Sequence, residues 1–238
     1  MRSAKRAGGL VVLAVVLLLT LFLTAFGSAP APIAVTQPAL AERLLPAGPP
    51  RPSVVAAQGA LRLQLPIPQG RITAIAYHPS AGGSLSLHPV GTRANQGLLS
   101  RLWRRVFGGG NGGIRYYQLG GGRGPETGVL NVGAAPGTDV YSPVDGTIVG
   151  VTDYVINGRR HGVRLDLQPS SAPSVVVSLT RLRLDPSLSV GSAVVAGTSR
   201  VGTVLDLSRV ERQALARYTQ DAGNHLALEV YPAGTLTR

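Results

Sequence analysis

Residues 131–149 read N-V-G-A-A-P-G-T-D-V-Y-S-P-V-D-G-T-I-V, and residues 223–230 read G-N-H-L-A-L-E-V. In the second stretch every other residue is apolar, so on a strand Leu226, Leu228 and Val230 point to one side, and His225, Ala227 and Glu229 to the other. In the first, Gly and Pro punctuate short Val-rich runs, with a strand over residues 147–151. Asp139, Asp145 and Asp153 read as turn acids.

The same two-residue alternation recurs on both sides of these stretches. It appears at Leu61, Leu63 and Leu65, at Ile72, Ala74 and Ala76, at Leu85 and Leu87, and at Val163, Leu165 and Leu167. Residues 175–177, 192–195 and 201–205 add further short strands, a spacing typical of an all-β sandwich or barrel rather than of βαβ units. The fold class is therefore mainly β and antiparallel. Helical period is confined to residues 96–107 and 208–219, so one or two short helices are expected. Residues 108–124 are glycine-rich around Ile114, Arg115, Tyr116 and Tyr117, and read as a flexible surface loop without the Lys-Ser/Thr pair of a phosphate-cradling loop.

The N-terminal fifth is of a different kind. Residues 8–26 are uncharged and almost wholly apolar, 19 residues whose helical length approaches the thickness of a bilayer. Arg2, Lys5 and Arg6 precede this run and no basic residue follows until Arg43, which places the N-terminus in the cytoplasm and the rest outside. Ala29, Pro30 and Ala31 loosely suit a signal-peptide cleavage site, but the apolar run is long for one and reads as an uncleaved anchor. The expected division is a basic tail over 1–7, a transmembrane anchor over 8–27, a Pro/Ala-rich tether over 28–52, a β region of unknown type over 53–125, and a second β domain over 126–238.

Composition removes several function classes. With no Cys in 238 residues, disulfide scaffolds, cysteine nucleophiles and thiolate metal sites are excluded. The formal charge is +12, and Lys5 is the only lysine, so arginine carries it; such a surface favours anionic polymers or lipid headgroups. The arginines are scattered and no zinc-finger, homeodomain or RNP signature accompanies them, so nucleic acid is not the expected partner. No G-x-S-x-G elbow and no close acidic pair for glycosidase work is present.

From Thr127 onward the chain resembles the lysostaphin-like, or LytM-type, zinc metallopeptidases that cut peptide bridges in peptidoglycan. The quoted 134–149 stretch is similar to the family's A-A-P-x-G-T-P-V-Y-A-P-x-D-G-T-V, and 223–230 to its G-P-H-L-H-F-E-V. Val190-Gly191, Ala196-Gly197 and Val201-Gly202 are similar to its V-G-x-x-V-x-x-G-x-x-I-G hairpin.

What the resemblance implies is a β scaffold whose substrate groove is faced by Thr127, Asn131, His225, Ala227 and Glu229. An active member holds zinc with three protein ligands and leaves a fourth position for water. Carried over residue by residue, those ligand positions are Thr127, Asn131 and Ala227, and a further catalytic histidine has no counterpart in V-S-L-T-R-L over 177–182. Only His225 survives, at a non-ligand position, as a vestige. Read on its own it is a half-buried, hydrogen-bonded histidine, and Glu229 is a strand carboxylate paired with an arginine.

No metal is therefore expected, and the implied function is a membrane-anchored, extracytoplasmic pseudopeptidase. Its expected partner is peptidoglycan or another anionic wall polymer, or a murein hydrolase that it regulates. The alternative is a working zinc endopeptidase with non-standard ligands, for which His78, His161 and His225 would have to converge in space. Y-S-P-V-D-G-T-I-V-G-V also resembles the hairpins of biotinyl and lipoyl carrier domains, but those need a lysine to modify, and Lys5 precedes the apolar run.

Overall fold

A computed structural model of the 238-residue chain describes residues 48–80, 82–95, 113–121 and 124–235. The expected anchor over 8–27, most of the tether and the expected helix over 96–107 lie outside the described residues. Within them no helix is long and apolar enough to cross a membrane.

The described chain is built almost entirely of strands. In order these are β1 (Val54–Gln58), β2 (Leu61–Gln64), β3 (Ile72–His78), β4 (His88–Pro89), β5 (Thr92–Arg93), β6 (Arg115–Gln118) and β7 (Val129–Ala134). They continue as β8 (Asp139–Tyr141), β9 (Gly146–Ile156), β10 (Arg159–Pro169), β11 (Val175–Leu184), β12 (Ala193–Val194), β13 (Arg200–Val204) and β14 (His225–Pro232). A small sheet has the order β2-β1-β4, and a large one runs β12-β9-β10-β11-β14-β7-β3-β6-β5, with β13 linking β11 to β8.

Alternation builds one core between these layers. Leu130 and Val132 of β7, Leu165 and Leu167 of β10, Val177 and Leu179 of β11, and Leu226, Leu228 and Val230 of β14 form a single apolar cluster. Val55, Leu61, Leu63 and Leu87 from the small sheet side belong to the same cluster. The Tyr77 hydroxyl, on β3, donates to the Val55 carbonyl at 2.7 Å, tying the two sheets inside the core. The first 125 residues thus contribute both an extension of the large sheet, through β3 and β6, and a separate small sheet.

The β9–β10 hairpin is the longest among the described residues and closes on Asn157-Gly158, with φ of 50° and 74°. Both values are left-handed, as a two-residue hairpin turn of this hand requires, and Asn-Gly is the dipeptide best suited to it. β11 is interrupted instead by Arg181, at φ 66°. Up to Thr180 one edge of β11 pairs with β14, and from Leu182 to Leu184 β11 pairs with β13, so Arg181 is the pivot between the two partners.

Several expectations are corrected. β3 and β5 run parallel to β6, so the sheet is not purely antiparallel. The strand over Arg115–Gln118 gives the glycine-rich stretch a fixed place in the large sheet, where Tyr116 packs edge-on against Tyr77 with ring centroids 5.2 Å apart. Leu85 and Leu87 lie outside the strands, because the pairing with β1 begins only at His88.

The expected helix over 208–219 is reduced to one 3₁₀ turn, Ala214–Arg217. Side chains divert its backbone groups: Asn224 Oδ1 takes the Leu207 N–H, and Gln213 Nε2 donates to the Leu207 and Glu211 carbonyls. Of the three turn acids only Asp145 caps a turn, accepting the Ala196 N–H; Asp139 and Asp153 stand on strands, paired with Arg200 and Arg160.

The core assignment has a direct check. Leu165 is fully buried in the cluster whereas Val155, near the hairpin tip, is 53% exposed. Leu165→Ala is expected to lower stability by about 2–5 kcal/mol, and Val155→Ala by less than about 0.5 kcal/mol, as read from urea unfolding.

Candidate functional site

The face of the large sheet opposite the core is laid out by the strand register. Across it, Ala76 of β3, Asn131 of β7, Ala227 of β14 and Thr180 of β11 form one cross-strand row. On one side of that row lie Ala74, Gly133 and His225, and on the other His78, Val129, Glu229 and Ser178. Directly opposed residues on one face have Cβ atoms about 5 Å apart, so Asn131 has a methyl group on either side.

Asn131 and Ala227 are thus brought together. Thr127 precedes β7, and its hydroxyl is committed elsewhere: it donates to the Leu87 carbonyl at 2.6 Å and lies 3.0 Å from the Ser86 hydroxyl. Glu229 belongs to the same face, but instead of the expected arginine it takes the hydroxyl of Tyr231. That bond adds to burial in holding the Tyr231 phenol up at a pKa of about 12. Arg164 stacks over the Tyr231 ring at 5.1 Å and bonds Asp166 and Ser178, closing a polar network at that end.

The other end is covered. Residues 207–223 cross over it, and Leu215, fully buried, packs on Ala74 and Ala76. Gly133 leaves the space for this: a Cβ there would come within 2.7 Å of Thr73 Oγ1 and 3.0 Å of Leu215 Cδ1. Tyr218 stacks on Tyr117 with centroids 4.6 Å apart. Arg181, aimed by its left-handed backbone, pairs with Glu211 at 2.5 Å and donates to Gln213 Oε1 at 2.9 Å.

Under this cover His225 is only 3% exposed, more deeply buried than expected. Its Nδ1 lies 2.9 Å from the Gly223 carbonyl and so carries the proton, leaving Nε2 as the acceptor. Burial first, then the Arg181 and His78 charges, push its pKa down from 6.5 to about 3, although the Gly223 bond acts the other way. The imidazole is a neutral base held away from solvent.

Asn131 is 1% exposed, and neither its Oδ1 nor its Nδ2 has a hydrogen-bond partner; Thr73 Oγ1, beside Gly133, is also buried and unpartnered. An unmet buried polar group costs about 1–3 kcal/mol. The resemblance singles out Asn131 but not Leu215, which falls in the expected helix over 208–219, nor Arg181, which falls beyond the expected strand over 175–177. Their signal is tertiary: neither sits in a recognisable motif.

Zinc, which the resemblance implies, does not fit this donor set. Ala227 has no donor atom, the Thr127 hydroxyl is engaged with a carbonyl, and Asn131 offers only a neutral amide. Among the described residues no three His, Cys, Asp or Glu side chains converge, so His78, His161 and His225 do not rebuild a site.

No protein-family model and no curated protein sequence matches the chain. Among solved structures it is similar to the NMR solution structure of lysostaphin, at 18% identity over 44% of this chain and 36% of that one, with a TM-score of 0.31. It is also similar to the structure of the SpoIIQ-SpoIIIAH pore-forming complex, at 15% identity over 46% of this chain and 68% of that one, with a TM-score of 0.29. The chain spans about a third of the length of the lysostaphin chain that it matches, at 36%.

Two measurements follow from the site. The folded chain keeps His225 neutral down to about pH 3, whereas the unfolded chain protonates it near 6.5. The stability that this neutral histidine permits is therefore complete above pH 6.5 and is lost progressively as the pH falls from there toward 3. Urea midpoints across that interval should fall, and fall less in His225→Gln. Asn131→Leu, which removes two unmet polar atoms at nearly constant volume, should leave stability unchanged or raise it by about 1–2 kcal/mol; a loss of similar size would mean that Asn131 has a partner in solution.

Proposed function

We propose that the chain is a membrane-anchored, extracytoplasmic module with a lysostaphin-like β scaffold and no peptidase chemistry, which engages peptidoglycan or an associated wall polymer, or a murein hydrolase acting on it. One observation carries the reading. The register pairs Asn131 with Ala227, at the two positions where an active relative would present an aspartate and a histidine to zinc.

The chemistry of the face agrees. A metallopeptidase needs a bound water made acidic by the metal and a side chain to move its proton. Here an amide, a methyl and a hydroxyl stand at the ligand positions, and the one histidine at the catalytic strand is neutral and sealed from solvent. What remains is a scaffold for binding. The exposed arginines Arg62, Arg93, Arg159, Arg209, Arg212 and Arg217 give that scaffold an affinity for anionic polymer.

The membrane part of the proposal rests on the apolar run over 8–26 and on the basic residues before it. The Pro-rich tether over 28–52 would hold the β module off the bilayer, within reach of the wall.

The test uses the full chain purified in detergent. Elemental analysis should find zinc far below one equivalent, and purified sacculi should remain uncut. Sacculi should retain the protein at low salt and release part of it at high salt, because exposed charge contacts are screened. One tightly held zinc per chain, together with chelator-sensitive release of wall peptides, would overturn the reading.

A further inference from the structure

The cover on Ala74, Ala76 and Gly133, next to Asn131 in the register, is made of parts that separate from the body more easily than a strand does. Residues 207–223 hold a single 3₁₀ turn as regular structure and contribute no strand to either sheet. Their attachment is concentrated in few side chains: Leu215 on Ala74 and Ala76, the Tyr218 ring on Tyr117, and Glu211 and Gln213 on Arg181. The segment's C-terminal end is fixed separately, where Asn224 bonds Leu207 and Asp206 and where Gly223 sits so tightly that a Cβ would meet Ala216 N at 2.3 Å.

Two observations mark this interface as one that opens. First, the buried side-chain polar atoms without a hydrogen bond, on Thr73, Asn131 and Glu211, all lie at it, among the described residues. Glu211 Oε1 is close to Arg181 Nη2, at 2.5 Å, but the contact is a charge pair without hydrogen-bond alignment. Glu211 has its charge partner, but the Thr73 and Asn131 groups stay unmet beside a dry apolar cover, and lifting it lets water or a ligand's amide groups satisfy them. Second, the polar attachment runs through one residue of the body, since Arg181, at the point where β11 exchanges β14 for β13, carries both the Glu211 and the Gln213 contacts.

We infer that residues 207–223 form an autoinhibitory strap. Closed, Leu215 fills the space beside Asn131 that a ligand's side chain would occupy, and Arg181 latches it through Glu211. Open, the strap bares the Asn131 amide and the Thr73 hydroxyl, a donor and acceptor set matched to the backbone amides of an extended peptide. The identity of that peptide as a wall component rests on the function proposed above; the strap itself does not.

The absence of native cysteine gives a clean test on the full chain in detergent. Ala76→Cys places a lone thiol beneath Leu215, and Val177→Cys places one in the core on the opposite face. Both are reacted with a chromogenic thiol reagent over a series of urea concentrations. The strap requires Cys at position 76 to react at least about tenfold faster than Cys at 177, at a rate insensitive to low urea, as local opening does. It also requires Glu211→Gln to speed the first reaction and leave the second unchanged.

Equal rates with equal urea dependence, or no response to Glu211→Gln, would overturn the strap. Should a cysteine variant fail to fold, native-state hydrogen exchange on the unmodified chain decides the same question. Amides of 207–223 exchanging together, ahead of β7 and β14, support the strap, and exchange only with the global unit refutes it. Purified sacculi that fail to speed labelling at position 76, while Glu211→Gln does speed it, would leave the strap standing and count against the wall-binding reading alone.

Discussion

The pairing of β7 with β14 is the constraint on which the molecule depends. Its register places Leu130 opposite Leu228 and Asn131 opposite Ala227. Because side chains alternate along a strand, that single choice sends Leu130, Val132, Leu226 and Leu228 into the core and Gly133, Asn131, His225 and Ala227 to the opposite face. A slip of one residue would bury the histidine and the amide among leucines. The core therefore enforces which side chains the site face presents.

A sheet face so poor in charge at its centre, with Ala74, Ala76, Gly133 and Ala227 around one asparagine, is a poor surface to leave in water. The chain covers it with its own Leu215, and the cover explains the electrostatics beneath it. His225 is neutral because it is desolvated beside a like charge on Arg181, and Asn131 is unsatisfied between the methyl groups of its cross-strand neighbours Ala76 and Ala227. Toward the far end, where Arg164, Glu229 and Tyr231 are only partly buried, the same face carries a hydrogen-bonded polar network. One sheet thus carries a sealed apolar end and an open polar end, divided near the row that contains Thr180 and Ala227.

Much of this was legible in the residues. The alternation of L-A-L-E-V located β14 and assigned its two faces, and the alternations at 61–65, 72–76 and 163–167 marked β2, β3 and β10, because a half-buried strand writes its period directly into the chain. The Asn131 and Ala227 positions were singled out by the family resemblance and not by the alternation. What stayed hidden depends on contacts distant in sequence. Nothing local distinguishes the parallel docking of β6 on β3. Leu215 lies within a stretch of helical period, yet only Ala214–Arg217 winds, as a 3₁₀ turn, while Asn224 and Gln213 side chains bond the backbone at Leu207. Arg181 lies beyond the strand read over 175–177, and its left-handed turn accompanies the exchange of β14 for β13 along β11.

The account as a whole holds that the site face carries no metal and is closed by Leu215. A methyl NOE spectrum of the full chain in detergent micelles, recorded before and after one equivalent of zinc, interrogates both halves at once. The expected result is a set of cross-peaks from the Leu215 methyls to those of Ala74 and Ala76, unchanged in position and intensity by the metal. Cross-peaks that are missing, or that shift together with the Ala227 and His225 signals when zinc is added, would contradict it.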